Sequence, residues 1–188
     1  MPSAETSPQP TAARTAPANA ERAHLLRIAR RLNDPDFGTG ALAGLRRGDP
    51  MSVLRQPSFH RLVRAVDDAA LGSDGAIRWA TAVHVFAVLA RPGAGWPSRD
   101  IGTALAEASF SESRLSRLFA SRGDAFRDQA VLVARFLHAR DAACAPTDLA
   151  ELALVEERAE SRAERLRFRI ARSYYRVTDA SPAAAVPA

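Results

Sequence analysis

The chain has 188 residues, of which 47% are hydrophobic and 25% charged, a balance typical of a soluble globular protein and incompatible with global disorder. All 26 basic residues are arginines, against 21 acids, which excludes any mechanism that requires a lysine, such as a Walker A phosphate loop or a pyridoxal Schiff base. With one cysteine, Cys144, and four scattered histidines, the chain has no internal disulfide and no zinc-ligand spacing, so we expect neither a metal site nor a cofactor.

The two ends of the chain are predicted to be disordered tails. Residues 1–18 and 179–188 are rich in proline, alanine, serine and threonine, which supply little to bury. The first residues lack the pattern of a secretory signal, and no apolar run approaches the roughly 18 residues of a membrane span. We therefore expect a cytoplasmic protein, with no membrane partner, whose folded domain covers residues 19–178.

Helical periodicity bounded by prolines predicts an all-α bundle of about eight helices in this domain. No window alternates with a period of two, so no strand is expected. The predicted helices are, in chain order, 19–32 with Asn19 as N-cap, 39–47, 58–70, 77–90, 98–107, 111–121, 124–140, and 148 to about 178. Helix 77–90 is apolar nearly all round, which predicts the most buried position. His84 on that helix is interpreted as a satisfied, partly buried histidine and not as a ligand or base.

The pattern of segment 101–119, which spans two predicted helices, indicates an alternative function. Its two halves have the spacing of a helix-turn-helix, in which Ser111 would cap a recognition helix that presents Ser113, Arg114 and Arg117 to a major groove. The usual glycine of the turn is missing, and Phe110 stands near its place. A transcription regulator that binds duplex DNA is therefore the second hypothesis. An enzyme is not expected, and no catalytic residue is assigned, because the HExxH, GxSxG and CxxC motifs are absent.

The last predicted helix sorts its side chains onto three faces. Apolar residues from Leu152 to Val177 share one arc, and Glu157, Glu160 and Glu164 lie on one flank. The other flank carries arginines at steps of four and three, over about 27 Å of helix: Arg158, Arg162, Arg165, Arg169, Arg172 and Arg176. We interpret them as a functional basic stripe. The alternative is a solvated face supported by ion pairs, which would need acids interleaved among the arginines.

Two aromatic residues of the same helix, Phe168 and Tyr175, lie away from the core arc. We interpret them as packing on another lobe or on a partner subunit in preference to stacking on bases.

Four segments, in this order, resemble the CasB family, the small subunit of type I-E CRISPR Cascade effector complexes. They are Ala43-Gly44-Leu45-Arg46-Arg47 with Pro50 and Pro57, Ser111-Glu112-Ser113-Arg114-Leu115 with Leu118 and Phe119, the apolar helix 126–137, and Arg169-Ile170-Ala171-Arg172-Ser173-Tyr174-Tyr175. The resemblance covers residues 21–176. The chain departs from the family pattern after Pro146, where no aromatic residue and no polar break precede the final helix, so the length of that helix stays open.

The resemblance implies a non-catalytic, two-lobed helical subunit of an RNA-guided antiviral complex. Its expected partners are the backbone and large subunits of Cascade, a second copy of itself, guide RNA and the single-stranded DNA of the displaced non-target strand. By position in the matching motifs, the resemblance implies that five residues of this chain bind nucleic acid: Arg46, Arg47, Arg114, Arg169 and Arg172. Helical phase alone adds Arg117, Arg165 and Arg176. Each could instead be a structural ion-pair residue, Arg46 and Arg114 above all.

Overall fold

The computed structural model describes residues 15–72 and 74–180, and within them the all-α prediction is confirmed. The described residues form eleven α-helical segments and one turn of 3₁₀ helix at Pro35–Phe37. The α-helices are α1 (Thr15–Asn33), α2 (Thr39–Arg46), α3 (Pro50–Val53), α4 (Pro57–Val63), α5 (Asp68–Leu71), α6 (Gly75–Leu89), α7 (Ile101–Glu107), α8 (Glu112–Ala120), α9 (Gly123–Ala139), α10 (Thr147–Val155) and α11 (Glu160–Ala180).

Helix α6 is the centre of the bundle, as its apolar sequence predicts. Every side chain from Trp79 to Leu89 is buried, and helices α1 to α5, α9 and α10 all pack against it. The second half of the core is the contact between α7 and α11, which pack closely along their length. Among the described residues there is no strand, and a single β-bridge joins Asp100 to Ala145. The described helices include none that is both long and apolar enough to cross a membrane.

Prolines and aspartates mark several helix starts. Pro50 and Pro57 occupy the first turn of α3 and α4, where a missing N–H costs nothing. Asp49 and Asp100 cap α3 and α7 by accepting hydrogen bonds from the backbone N–H of Ser52 and Thr103. Helix α7 therefore begins at Ile101, three residues later than the predicted 98.

Three other predicted boundaries were wrong. Helix α1 begins at Thr15, so Asn19 is not its N-cap; residues 1–14 and 181–188 of the predicted tails lie outside the described residues. The predicted helix 58–70 is interrupted, because α4 ends at Val63 and α5 begins at Asp68. The last predicted helix is two helices, α10 and α11, separated at residues 156–159. The division into two small lobes stays a prediction.

The break between α10 and α11 lies beside the start of the neighbouring helix α9. The Glu156 side chain turns towards the first residue of α9 and accepts a hydrogen bond from the Gly123 backbone N–H, at 2.6 Å. A carboxylate is favoured at this end of a helix because the unpaired N–H groups carry partial positive charge. The Ala159 carbonyl then accepts bonds from the N–H groups of Arg162 and Ala163 and starts α11.

Candidate nucleic-acid interface

The outer face of α11 carries the C-terminal part of the predicted basic stripe. Arg165 and Arg172 are exposed and form no ion pair with any described residue. Arg169 is half exposed, with Nη2 at 2.8 Å from Oδ1 of Asp148, whose pKa is raised by burial. Arg176 is more exposed and approaches Asp100 only to 3.8 Å. These four arginines extend over about 17 Å of helix and are exposed to solvent. They form the first candidate surface.

The N-terminal part of the same stripe has a different environment. Arg162 lies 3.2 Å from a carboxylate oxygen of Glu21 on α1 and 2.8 Å from one of Glu151 on α10. Arg158 also pairs with Glu21 and donates a hydrogen bond to the Leu154 carbonyl oxygen. No acid is interleaved among the arginines of the stripe itself, and Glu21 and Glu151 of other helices supply the carboxylates instead. Arg158 and Arg162 are therefore engaged in ion pairs that hold α1, α10 and α11 together.

The glutamate flank of α11 is also occupied by ion pairs. Glu160 and Glu164 contact Arg122 at the start of α9 and Arg167 on α11 itself. Arg167 is only 5% exposed, and it also lies 3.8 Å from the buried Glu156. Sequence analysis missed Arg167, although its position between the core arc and the glutamates is visible on a helical wheel.

A second group of arginines borders a groove between α8 and α9. Arg114 and Arg117 on α8 are exposed and have no ion pair with a described residue, and Arg135 of α9 faces them. The groove has a volume of about 440 Å³, and its lining among the described residues contains no carboxylate. The remaining lining residues are Phe110, Gln129, Leu132, Val133 and Phe136. The alternative considered for Arg114, a partly buried ion pair, is not found among the described residues. The residues that line this groove form the second candidate surface, the α8–α9 groove.

Two of the arginines near this groove were missed at the sequence level. Arg135 donates a hydrogen bond to the Gly48 carbonyl oxygen, next to Arg47, which is exposed and has no ion pair with a described residue. Arg140 lies with its guanidinium carbon 5.0 Å from the centre of the Phe136 ring and donates a hydrogen bond to the Ala108 carbonyl oxygen. Helix 126–137 was interpreted as apolar, and a helical wheel of it shows Arg135 beside its apolar face.

Arg46 faces the protein interior. Its Nε donates to the Ala87 carbonyl oxygen at 2.7 Å and its Nη2 to that of Ala90 at 2.6 Å, and burial lowers its pKa. These two carbonyls belong to the C-terminal end of α6, which lacks intrahelical donors. Arg46 is thus directed at α6, whereas its neighbour Arg47 is directed at solvent.

One tertiary contact joins α11 to the segment that precedes α8. Tyr174 is buried on the inner face of α11 and donates a hydrogen bond from its hydroxyl group to the carbonyl oxygen of Phe110, a lining residue of the α8–α9 groove. The C-terminal half of α11 is therefore fixed against the segment that begins α8.

The helix-turn-helix hypothesis agrees with the structure only locally. Helices α7 and α8 are separated by a short turn, and the left-handed residue of that turn is Ser109 with φ 59°, not Phe110. However, α7 packs mainly against α11 and α8 against α9.

Comparison with known proteins gives one match. The family model described as CRISPR-associated protein Cse2 matches residues 41–175. This range includes seven of the eight predicted site arginines and excludes Arg176. No curated protein and no solved structure matches the chain.

Proposed function

Because the chain belongs to the CRISPR-associated protein Cse2 family, the CasB small subunits of Cascade, we propose that its exposed arginines bind nucleic-acid backbone within that complex. The family membership confirms the resemblance that the four sequence motifs indicated. In this proposal the protein is a non-catalytic cytoplasmic subunit that contacts guide RNA and the displaced non-target DNA strand. Its other partners are the backbone and large subunits of Cascade and a second copy of itself.

The observation that carries the proposal is the separation of paired from unpaired arginines. Those with carboxylate partners on other helices, such as Arg22 and Arg162, hold the fold together. Arg114 and Arg117 on α8 and Arg165 and Arg172 on α11 are exposed and have no carboxylate partner among the described residues, although exposed arginines also occur elsewhere. A guanidinium group directed at solvent can bind phosphate oxygens through two parallel hydrogen bonds, and its charge does not depend on pH in the physiological range.

Both surfaces support binding that is independent of sequence. Phosphate contacts fix the position of a strand but do not read its bases. In RNA-guided systems the sequence is read by base pairing between guide and target, so a subunit that follows the backbone has no need for base readout.

The test is to reverse charge on each candidate surface of the full-length protein. We expect Arg165→Glu with Arg172→Glu, and Arg114→Glu with Arg117→Glu, each to weaken binding of single-stranded DNA. Each lost phosphate contact should reduce the slope of log affinity against log salt by about one. The matched control is Arg61→Glu on α4 with Arg64→Glu directly after it, which changes the net charge equally at two exposed arginines outside both surfaces.

The outcomes separate the hypotheses. Equal weakening by all three double variants would mean that only net charge matters and would contradict the assigned surfaces. A steep preference for one duplex sequence, seen as a footprint on a single operator, would favour the transcription regulator instead. Thermal melting of each variant checks that the fold is retained, since exposed charges contribute less than about 1 kcal/mol each to stability.

A further inference from the structure

Phe168 is the most exposed large apolar side chain of the described residues. Its ring is 67% exposed on the outer face of α11, whereas Tyr175, two turns further on, is 37% exposed and packs edge-to-face on Tyr174. The expected packing of Phe168 on another lobe is thus not found within this chain. Because the ring makes little contact with the fold, its exposed face is available to a ligand.

The Phe168 ring borders a groove of about 730 Å³ between α1 and α11. The acids in this groove are already neutralised: Glu151 pairs with Arg22 and Arg162, and Glu164 pairs with Arg167. Arg165, which has no ion pair with a described residue, is left as an uncompensated positive charge at the groove. The lining residues are Asn19, Arg22, Glu151, Arg162, Glu164, Arg165, Leu166, Phe168 and Arg169.

Resting on the proposed function, we infer that Phe168 is a stacking platform for one unpaired nucleobase, which enters the groove between α1 and α11. Arg165 lies one turn before Phe168 and Arg172 one turn after it on the same face of the helix. A base on the ring therefore has a guanidinium group on each side for its flanking phosphates. The exposed Asn19 lies across the groove. Its side-chain amide has both donors and an acceptor and can hydrogen-bond to the edge of the stacked base.

Charge complementarity favours an unpaired nucleic-acid strand over a protein partner. The ligand must combine a flat apolar surface with negative charge on both sides of it, and a single strand repeats this combination at every nucleotide. Stacking on an aromatic ring tolerates any base, because every base has a π-face. The interaction therefore adds affinity without adding sequence preference.

The experiment compares an oligothymidylate of about 15 nucleotides with an abasic strand of equal length and charge. For the wild-type full-length protein we expect the abasic strand to bind more weakly. Phe168→Leu should weaken binding of oligothymidylate about 5-fold or more and should leave binding of the abasic strand and the salt slope unchanged. Phe168→Trp should retain affinity, and its added fluorescence relative to wild type should be quenched by oligothymidylate. Tyr175→Leu is the matched control on the same helix, and we expect it to stay within about twofold of wild type because its ring lies outside the groove.

Failure of this inference is distinguishable from failure of the proposed function. If the wild-type protein binds neither strand, the arginine surfaces are wrongly assigned and the stacking platform is lost with them. If it binds with the expected salt dependence while Phe168→Leu binds both strands as wild type does, only the stacking platform is overturned. If Phe168→Leu binds both strands as wild type does but assembles poorly into Cascade, Phe168 is a protein contact. That result also overturns the stacking platform.

Discussion

Gly102 on α7 lies so close to Ile170 on α11 that a Cβ atom at position 102 would overlap the Ile170 carbonyl oxygen. The obstructing atom belongs to the backbone, so it cannot rotate away as a side chain could. The absence of a side chain at this position is what allows α7 and α11 to pack closely, and α11 carries one of the two candidate surfaces.

Gly102→Ala is therefore expected to reduce the free energy of unfolding by about 1–3 kcal/mol, the usual cost of overpacking. Urea denaturation measures the change. Gly40→Ala is the control, since it places a Cβ in open space within α2 and should be neutral or stabilising by up to about 1 kcal/mol. Equal stability of the two variants would contradict the close contact between α7 and α11.

Arg46→Met is expected to reduce the free energy of unfolding by about 1–3 kcal/mol, because the Ala87 and Ala90 carbonyls lose a charged donor. Arg47→Met, one residue later and exposed, should change it by no more than about 0.5 kcal/mol. Chemical denaturation compares the two. Loss of nucleic-acid binding by Arg46→Met without loss of stability would instead place Arg46 in the interface.

His84 is expected to make the protein less stable in acid. It is fully buried, its Nδ1 lies 2.8 Å from the Leu45 carbonyl oxygen, and its Nε2 has no hydrogen-bond partner among the described residues. Burial is the main cause that lowers the pKa of His84 below its usual 6.5, and nearby Arg135 lowers it further while Asp49 raises it. As pH falls below 6.5, the unfolded histidine binds a proton that the folded one does not, so stability falls by up to about 1.4 kcal/mol per pH unit until the folded pKa is reached.

The measurement is the free energy of unfolding between about pH 6.5 and 5 for wild type and His84→Gln. Asp148 and Glu156, whose pKa values are raised by burial, favour folding as pH falls, but they are present in both proteins. The difference between the two pH profiles therefore isolates His84. Parallel profiles would show that His84 does not titrate differently in the folded state.

Cys144 is expected to resist thiol reagents in the folded protein. Burial raises the pKa of its thiol to about 12, so almost no reactive thiolate is present at neutral pH. Labelling followed over time should be slow in buffer and should accelerate with denaturant in step with unfolding. Rapid labelling of the native protein would contradict the burial of this residue.

The helices that the sequence predicts well are those whose boundaries are encoded locally. Helix α6 is apolar nearly all round, and its observed bounds, Gly75–Leu89, lie within two residues of the predicted 77–90. The break after α10 could not be predicted, since residues 156–159 contain neither proline nor glycine. At the break Glu156 contacts Gly123, a residue that is distant in sequence.

The same distinction applies to the candidate sites. Helical phase correctly separates the apolar arc of α11 from its charged faces, because that phase is a local property. It cannot tell Arg162 from Arg165, since the difference lies in Glu21 and Glu151 on other helices. Arg46 and Arg47 are adjacent and identical in type, and only the position of α6 decides which of them is buried.

The ion pairs from Glu21 to Arg158 and Arg162 join the beginning of the described chain to its last helix. During translation α1 leaves the ribosome long before α10 and α11 have been made. Helix α1 can pack against α4 and α6 at that stage, but Glu21 and Arg22 have no charged partner until the C-terminal helices emerge. Completion of this fold therefore requires α10 and α11 to have emerged, and a nascent chain stalled before α11 should remain sensitive to protease at α1.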